Sequence, residues 1–171
     1  RGQEESDAEW INRLEKELLK AEARIEQQTG QSHRYLAYPF GEFNTEIKHM
    51  LEVNNFIGLA QNSGAVGVNS DFLALPRFPL ASIYANLETA KIKLDSKAFN
   101  VELIQPLSPV TQLRNPSVTL KFDEGNYNFS QIGCFANSRP LPMTWVDESK
   151  GLLRIEPTES YTGRRWRYLC T

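Results

Sequence analysis

Arg34-Tyr35-Leu36-Ala37-Tyr38-Pro39-Phe40-Gly41-Glu42-Phe43-Asn44 is the stretch whose reading decides the fold. Tyr35 to Tyr38 is aromatic and apolar, which predicts a buried strand. Pro39 has no N–H to give to a sheet and Gly41 tolerates a positive φ, so the strand ends in a tight turn. Asn44 is a strong N-cap residue and predicts a helix from Thr45. Strand ends that turn into helices are where α/β proteins hold ligands. Local physics leaves two readings open: an ordinary strand-to-helix turn, or a turn that lines a site.

Upstream, Ser6 and Glu9 form a capping-box pattern and Gly30 supplies a stop, which predicts a helix over 6–29. Ile11, Leu14, Leu18, Ala21 and Ile25 make one apolar stripe on it. The stripe spans too few heptads to favour a coiled coil over packing on a sheet. Downstream, a short helix over 45–54 turns Ile47, Met50 and Leu51 inward, and Phe56-Ile57-Gly58-Leu59-Ala60 reads as a strand. After the glycine-containing loop 61–70, residues 71–79 read as a strand ended by prolines. Ser82 is placed to cap a third helix from Ile83 to about Ala98, with Ile83, Leu87, Ala90 and Leu94 on one face. Helices alternating with about three strands predict α/β architecture, half of a (β/α) barrel, over 1–99.

Over 100–116 the periodicity lapses, and Pro106, Pro109 and Pro116 predict a linker. Short alternating segments follow, at 118–122, 127–135, 143–146, 152–155 and 165–170. Turn signals at Glu124-Gly125-Asn126 and Lys150-Gly151 separate them, and the pattern predicts a small antiparallel β-sandwich over 117–171. Cys134 and Cys170 are the only 2 cysteines. Two readings of them stand: a disulfide in an exported, periplasmic or extracellular protein, or two buried free thiols in a cytosolic one. A bond between them would stabilise by about 3–4 kcal/mol through chain entropy.

The chain has 171 residues, 40% hydrophobic and 23% charged, with a net charge of -2. That is the composition of a globular protein, and the charge gives no reason to expect nucleic acid or an anionic membrane as partner. No run approaches the roughly 20 apolar residues of a membrane span. A start at Arg1, without Met or an apolar leader, reads as a piece of something longer or a processed product.

Few residues stand out for chemistry. His33 and His49 are the only histidines, and neither has a His or Cys at metal-ligand spacing, so no metal site is expected within this chain. No Gly-x-Ser-x-Gly elbow occurs, and the glycines of 61–70 match neither phosphate-binding pattern. Glu42, Asp71 and Arg77 fall at strand ends, where a carboxylate–guanidinium pair would orient a polar substrate or simply form a surface ion pair. Arg164-Arg165-Trp166-Arg167 reads as a strand with a solvated basic face opposite a core Trp.

Tyr38-Pro39-Phe40-Gly41-Glu42-Phe43, with Ser70-Asp71-Phe72-Leu73-Ala74-Leu75-Pro76-Arg77-Phe78 further on, resembles the polysaccharide deacetylases (carbohydrate esterase family 4), near the poly-N-acetylglucosamine deacetylases. The resemblance covers roughly 6–100 and implies the C-terminal half of that family's incomplete (β/α) barrel, followed by an accessory β domain. It implies a parent that removes N-acetyl groups from an amino-sugar polysaccharide with a divalent metal such as zinc. The family's Asp and His ligands and base come from motifs that would precede this chain. By resemblance, the backbone N–H of Phe40 is an oxyanion donor, and Tyr38, Pro39, Gly41, Glu42, Asp71 and Arg77 line the groove. Many members carry an Arg two residues before the Pro. Here Ala37 stands there, and either Arg77 substitutes or the contact is missing. No Leu-x-His motif occurs, so the proton donor is unassigned. The fragment alone is expected to be inactive, and a half barrel implies either self-association or a missing N-terminal half. The alternative is a non-catalytic carbohydrate-binding or scaffolding protein.

Overall fold

The computed structural model describes residues 2, 4–123, 125 and 127–171. Glu124 and Asn126, two residues of an expected turn, lie outside the described residues. The architecture is mixed α/β, and the chain divides into two compact units, Arg1–Phe99 and Asn100–Thr171.

The first unit opens with helix α1, Asp7–Thr29. Its capping box is formed, with the Ser6 N–H donating to the Glu9 carboxylate at 3.0 Å and the Glu9 N–H donating to Ser6 Oγ at 3.3 Å. These bonds span three residues, so they need no tertiary structure. Strand β1 (Tyr35–Ala37) pairs in parallel with β2 (Ile57–Leu59), and helix α2 (Thr45–Val53) lies between them in sequence. Asn44 caps α2, its Oδ1 accepting from the Ile47 N–H at 2.9 Å. Tyr38, Met50, Leu51 and Phe56 form the buried core, on which Ile11, Leu14, Leu18, Leu36 and Phe43 pack.

Several expectations need correction here. The β1 strand is not buried throughout, because Tyr35 is 56% exposed and alternation sends only Leu36 and Tyr38 toward the core. Residues 71–79 form no strand, and contribute one parallel bridge, Leu59↔Leu75, before Pro76 withholds its N–H. No barrel is closed by the described residues. The expected third helix is shortened to a 3-10 turn at Ser82–Tyr84 and helix α3 at Leu87–Asp95, capped by Asn86 instead of Ser82. Its apolar side faces water, with Ile83 77%, Leu87 90% and Leu94 86% exposed.

The α1 stripe also stops short. Ile25 is 44% exposed, and the late turns are held instead by Glu22, which is only 7% exposed. Its Oε1 accepts from Ser32 Oγ (2.7 Å), the His33 N–H (2.6 Å) and the Arg34 N–H (2.9 Å). A carboxylate takes the place an apolar residue would fill because three donors of the chain's return turn converge on it.

The second unit is all antiparallel. Strands β3 (Val101–Gln105) and β4 (Val118–Phe122) open it, followed by β5 (Cys134–Ala136) and β6 (Arg139–Pro140). Strands β7 (Met143–Asp147), β8 (Leu152–Ile155) and β9 (Tyr168–Cys170) complete it. One sheet runs β3-β4-β8-β7 and the other β6-β5-β9. The expected linker over 100–116 is thus corrected, since its first part is β3, hydrogen-bonded to β4 and ended at Pro106. The strand expected over 127–135 survives only at Cys134–Ala136, after a 3-10 turn at Phe129–Gln131. Phe122, Leu153 and Ile155 are buried, and Phe129 packs on Trp145 with ring centroids 4.6 Å apart. Cys134 and Cys170 are opposite each other on β5 and β9 and form a disulfide.

Candidate functional site

The candidate site lies in the first unit, where parallel β1 and β2 end. The Tyr38 N–H donates to the Leu59 carbonyl at 3.1 Å, the last bond before Pro39 breaks the pairing. The chain then makes a 3-10 turn, Pro39–Gly41, with Phe40 at φ 57 and Gly41 at φ 71. A left-handed backbone is uncommon for a bulky aromatic residue, and the Phe40 ring is 68% exposed. Gly41 is required twice over, by its φ and because a Cβ there would lie 2.7 Å from the Gln61 Cβ. The turn therefore presses directly on the loop that leaves β2.

Residues 75–77 complete the cluster. The Ala60 N–H donates to the Leu75 carbonyl at 2.9 Å, and the Arg77 N–H donates to the Asn62 carbonyl at 2.9 Å. Arg77 Nε donates to the Ala60 carbonyl at 2.8 Å. Segments 38–42, 60–62 and 75–77 thus meet at the carboxyl ends of the parallel strands.

Tyr38 joins the two sequence motifs. It is 2% exposed, stacks on Phe43 at 4.8 Å, and donates its hydroxyl to the Leu73 carbonyl at 2.7 Å. Burial, with the Asp71 charge adding to it, pushes the Tyr38 phenol up to about 12. Tyr38 therefore supports the turn from beneath, and does not present its ring to a ligand. Pro39, Phe40 and Glu42 are exposed, and Gly41 is half-buried.

Asp71 and Arg77 do not pair with each other. Asp71 is held by Lys48 of α2 at 2.5 Å, and its other oxygen accepts the Leu73 N–H at 2.9 Å. Arg77 Nε is committed to the Ala60 carbonyl, so the structure does not bring Asp71 and Arg77 together as an ion pair. His49 is exposed beside Glu52, at 3.6 Å, and the His33 N–H is bound to Glu22. Among the described residues, no group of three His, Cys, Asp or Glu side chains is arranged to hold a metal ion. No described helix is long and apolar enough to cross a membrane.

Sequence reasoning missed Lys48 and Gly58. Lys48 gave no signal, because its partner lies 23 positions away. Gly58 did give one, as a lone glycine inside an apolar strand, which marks a close backbone approach. Its N–H donates to the Phe72 carbonyl at 3.0 Å, and its carbonyl accepts from the Leu75 N–H at 2.8 Å. The chain matches no family model, no curated protein and no solved structure.

Proposed function

We propose that residues 35–78 form one wall of a polysaccharide deacetylase groove, and that this chain is the C-terminal portion of such an enzyme. The observation that carries the reading is the Tyr38 hydroxyl on the Leu73 carbonyl, at 2.7 Å. It joins the two motifs on which the resemblance rests, at the carboxyl ends of parallel strands, where α/β folds place ligands. In this reading Pro39, Phe40 and Glu42 face an amino-sugar polymer, and the Phe40 N–H donates to the oxyanion formed at an acetamido carbon. The half-barrel assignment of the first unit and the β-sandwich assignment of the second belong to the same proposal.

The residues present do not fit the divalent metal that such an enzyme uses. Asp71 is bound to Lys48, His49 lies beside Glu52, and among the described residues no three His, Cys, Asp or Glu side chains are grouped to hold a metal ion. In this reading the metal ligands and the base would come from sequence ahead of Arg1. The disulfide supports export to an oxidising compartment. The exposed apolar side of α3, with Leu87 90%, Ile92 68% and Leu94 86% exposed, supports cover by the N-terminal half or by a second copy.

The test is acetate release from N-acetylglucosamine oligomers with added zinc or cobalt. The longer chain carrying the upstream segment is expected to release acetate and the 171-residue chain none. Release by the short chain alone refutes the fragment reading. No release by the long chain refutes the enzyme reading and leaves the alternative, a non-catalytic carbohydrate binder, which the exposed Tyr35 and Phe40 rings favour. In light scattering the short chain is expected to self-associate, and a monodisperse monomer would count against the half barrel.

A further inference from the structure

We infer that Asn128 is an acceptor for an N-linked glycan, with Ser130 as the hydroxyl residue of its recognition sequence. The inference draws on the second unit and its disulfide, and it is independent of the deacetylase reading.

Asn128-Phe129-Ser130 has the form Asn-x-Ser with a residue other than Pro in the middle, which is the pattern of an N-glycosylation acceptor. It is the only such sequence in the 171 residues. Asn115-Pro116-Ser117 has the same outline, but Pro in the middle bars it. A sequence of this kind becomes a site when the asparagine stands on the surface of a chain that is exported.

The structure supplies the surface. Asn128 and Ser130 are exposed, and Tyr127 and Phe129 between and beside them are half-buried. Phe129 is the anchor, with its ring centroid 5.6 Å from that of Phe122 and 4.6 Å from that of Trp145. The middle residue thus ties the segment to the core and leaves the two recognised residues outside. Those two are already joined, the Ser130 hydroxyl donating to Asn128 Oδ1 at 2.7 Å. That bond uses the amide oxygen. Nδ2, the atom that would carry the sugar, makes no hydrogen bond among the described residues.

An asparagine ahead of a helical turn ordinarily caps it, as Asn44 and Asn86 do here for the Ile47 and Thr89 N–H groups. Asn128 stands at the same place before the 3-10 turn Phe129–Gln131, yet its side chain does not cap that turn. The local fold therefore makes no use of its amide nitrogen. The Cys134–Cys170 disulfide fits folding in an oxidising compartment such as the lumen of the endoplasmic reticulum, where the transfer takes place. In that transfer Asn128 Nδ2 bonds to the anomeric carbon of an oligosaccharide carried on a lipid diphosphate. The bond from that carbon to the diphosphate oxygen breaks, the lipid diphosphate leaves with the electron pair, and one amide proton passes to a base of the transferring enzyme.

The test is to send the 171-residue chain, behind a cleavable leader, through the secretory pathway of cultured mammalian cells and to map the secreted product by peptide mass spectrometry. The wild-type chain is expected to run larger than the bare chain on denaturing gels. Peptide-N-glycosidase should remove the shift and leave an aspartate at position 128. Asn128→Gln should lose the shift entirely and Ser130→Ala most of it, whereas Asn115→Gln should keep it. Unglycosylated Asn128→Gln and Ser130→Ala from the bacterial periplasm should melt at the wild-type midpoint, since both side chains are exposed, which separates loss of the acceptor from loss of the fold. Secretion of the wild-type chain unmodified at Asn128, or a shift that survives Asn128→Gln, overturns the proposal. Glycosylation of Ser130→Ala at the wild-type level overturns the part given to Ser130.

Discussion

Replacing Gly58 by alanine puts a methyl group where three atoms already stand. A Cβ at this position would overlap the Leu73 carbonyl oxygen and come within 2.6 Å of the Tyr38 hydroxyl and 2.8 Å of the Leu73 carbonyl carbon. Two of these atoms are main chain, so the 72–75 segment must move as a whole. Overpacking of this kind costs about 1–3 kcal/mol. Displacing the Tyr38 hydroxyl from its bond to Leu73 adds about 1 kcal/mol. Alanine's smaller unfolded-state entropy offsets less than about 1 kcal/mol of this. The steric term wins, and a net loss of about 1–4 kcal/mol lowers the midpoint of a unit of this size by on the order of 5–30 °C. Among the described residues all three α-helices lie in the first unit, so the helical band in far-UV circular dichroism reports its melting. Tyr38→Phe alone should cost about 1–2 kcal/mol, by leaving the Leu73 carbonyl without its donor. The double variant should cost less than the sum, because one of the clashing atoms is gone. A Gly58→Ala protein melting within about 2 °C of wild type, or strict additivity in the double variant, would refute the packing described.

Glu22 gives a prediction in acid. The Arg34 N–H, then the Ser32 hydroxyl and His33 N–H, hold its carboxyl below the ordinary value. A lowered folded value means the unfolded chain takes up the proton first, so this stability is complete above the ordinary carboxylate range and lost as pH falls through it. The midpoint difference between wild type and Glu22→Gln should therefore shrink below about pH 4, and a difference that does not change with pH would count against the assignment. Two of the six tyrosines, Tyr38 and Tyr168, are pushed up to about 12, chiefly by burial. Phenolate absorbance should show them titrating last. Their raised values also mean that stability is lost as pH rises from about 10, the unfolded phenol value, and a single titration step for all tyrosines would contradict this burial. Reducing the Cys134–Cys170 bond, whose sequence separation is 36, should destabilise the second unit by about 3–4 kcal/mol. Denaturant unfolding followed by fluorescence of Trp145 and Trp166 would measure it, and an unchanged midpoint in reductant would refute it.

Elements defined by short-range chemistry were legible in the chain. The Ser6/Glu9 capping box, the Asn44 cap and the stop of β1 at Pro39 all involve residues at most three apart, and each forms as read. The disulfide partners were also legible, since only two cysteines exist. What failed depended on partners far away in sequence. The α3 face reads as a core stripe by periodicity, yet Leu87 and Leu94 on it are 90% and 86% exposed. Val101–Gln105 shows little alternation and reads as linker, yet β4 supplies its ladder. Asp71 and Arg77 appeared as natural partners by charge, and each was claimed by a group elsewhere in the unit.

The opening stretch divides along the same line. Its residue types alone determined that a strand ends at Pro39, that Gly41 turns the chain, and that Asn44 starts a helix, because φ restriction, a missing N–H and a cap are properties of single residues and their near neighbours. Only the tertiary structure decided that Tyr38 lies inside with its hydroxyl on Leu73, that Phe40 stands outside, and that Gly58 leaves room for the crossing chain. Those outcomes depend on which distant segment arrives beside the strand, and burial, contact and clearance exist only once it has arrived.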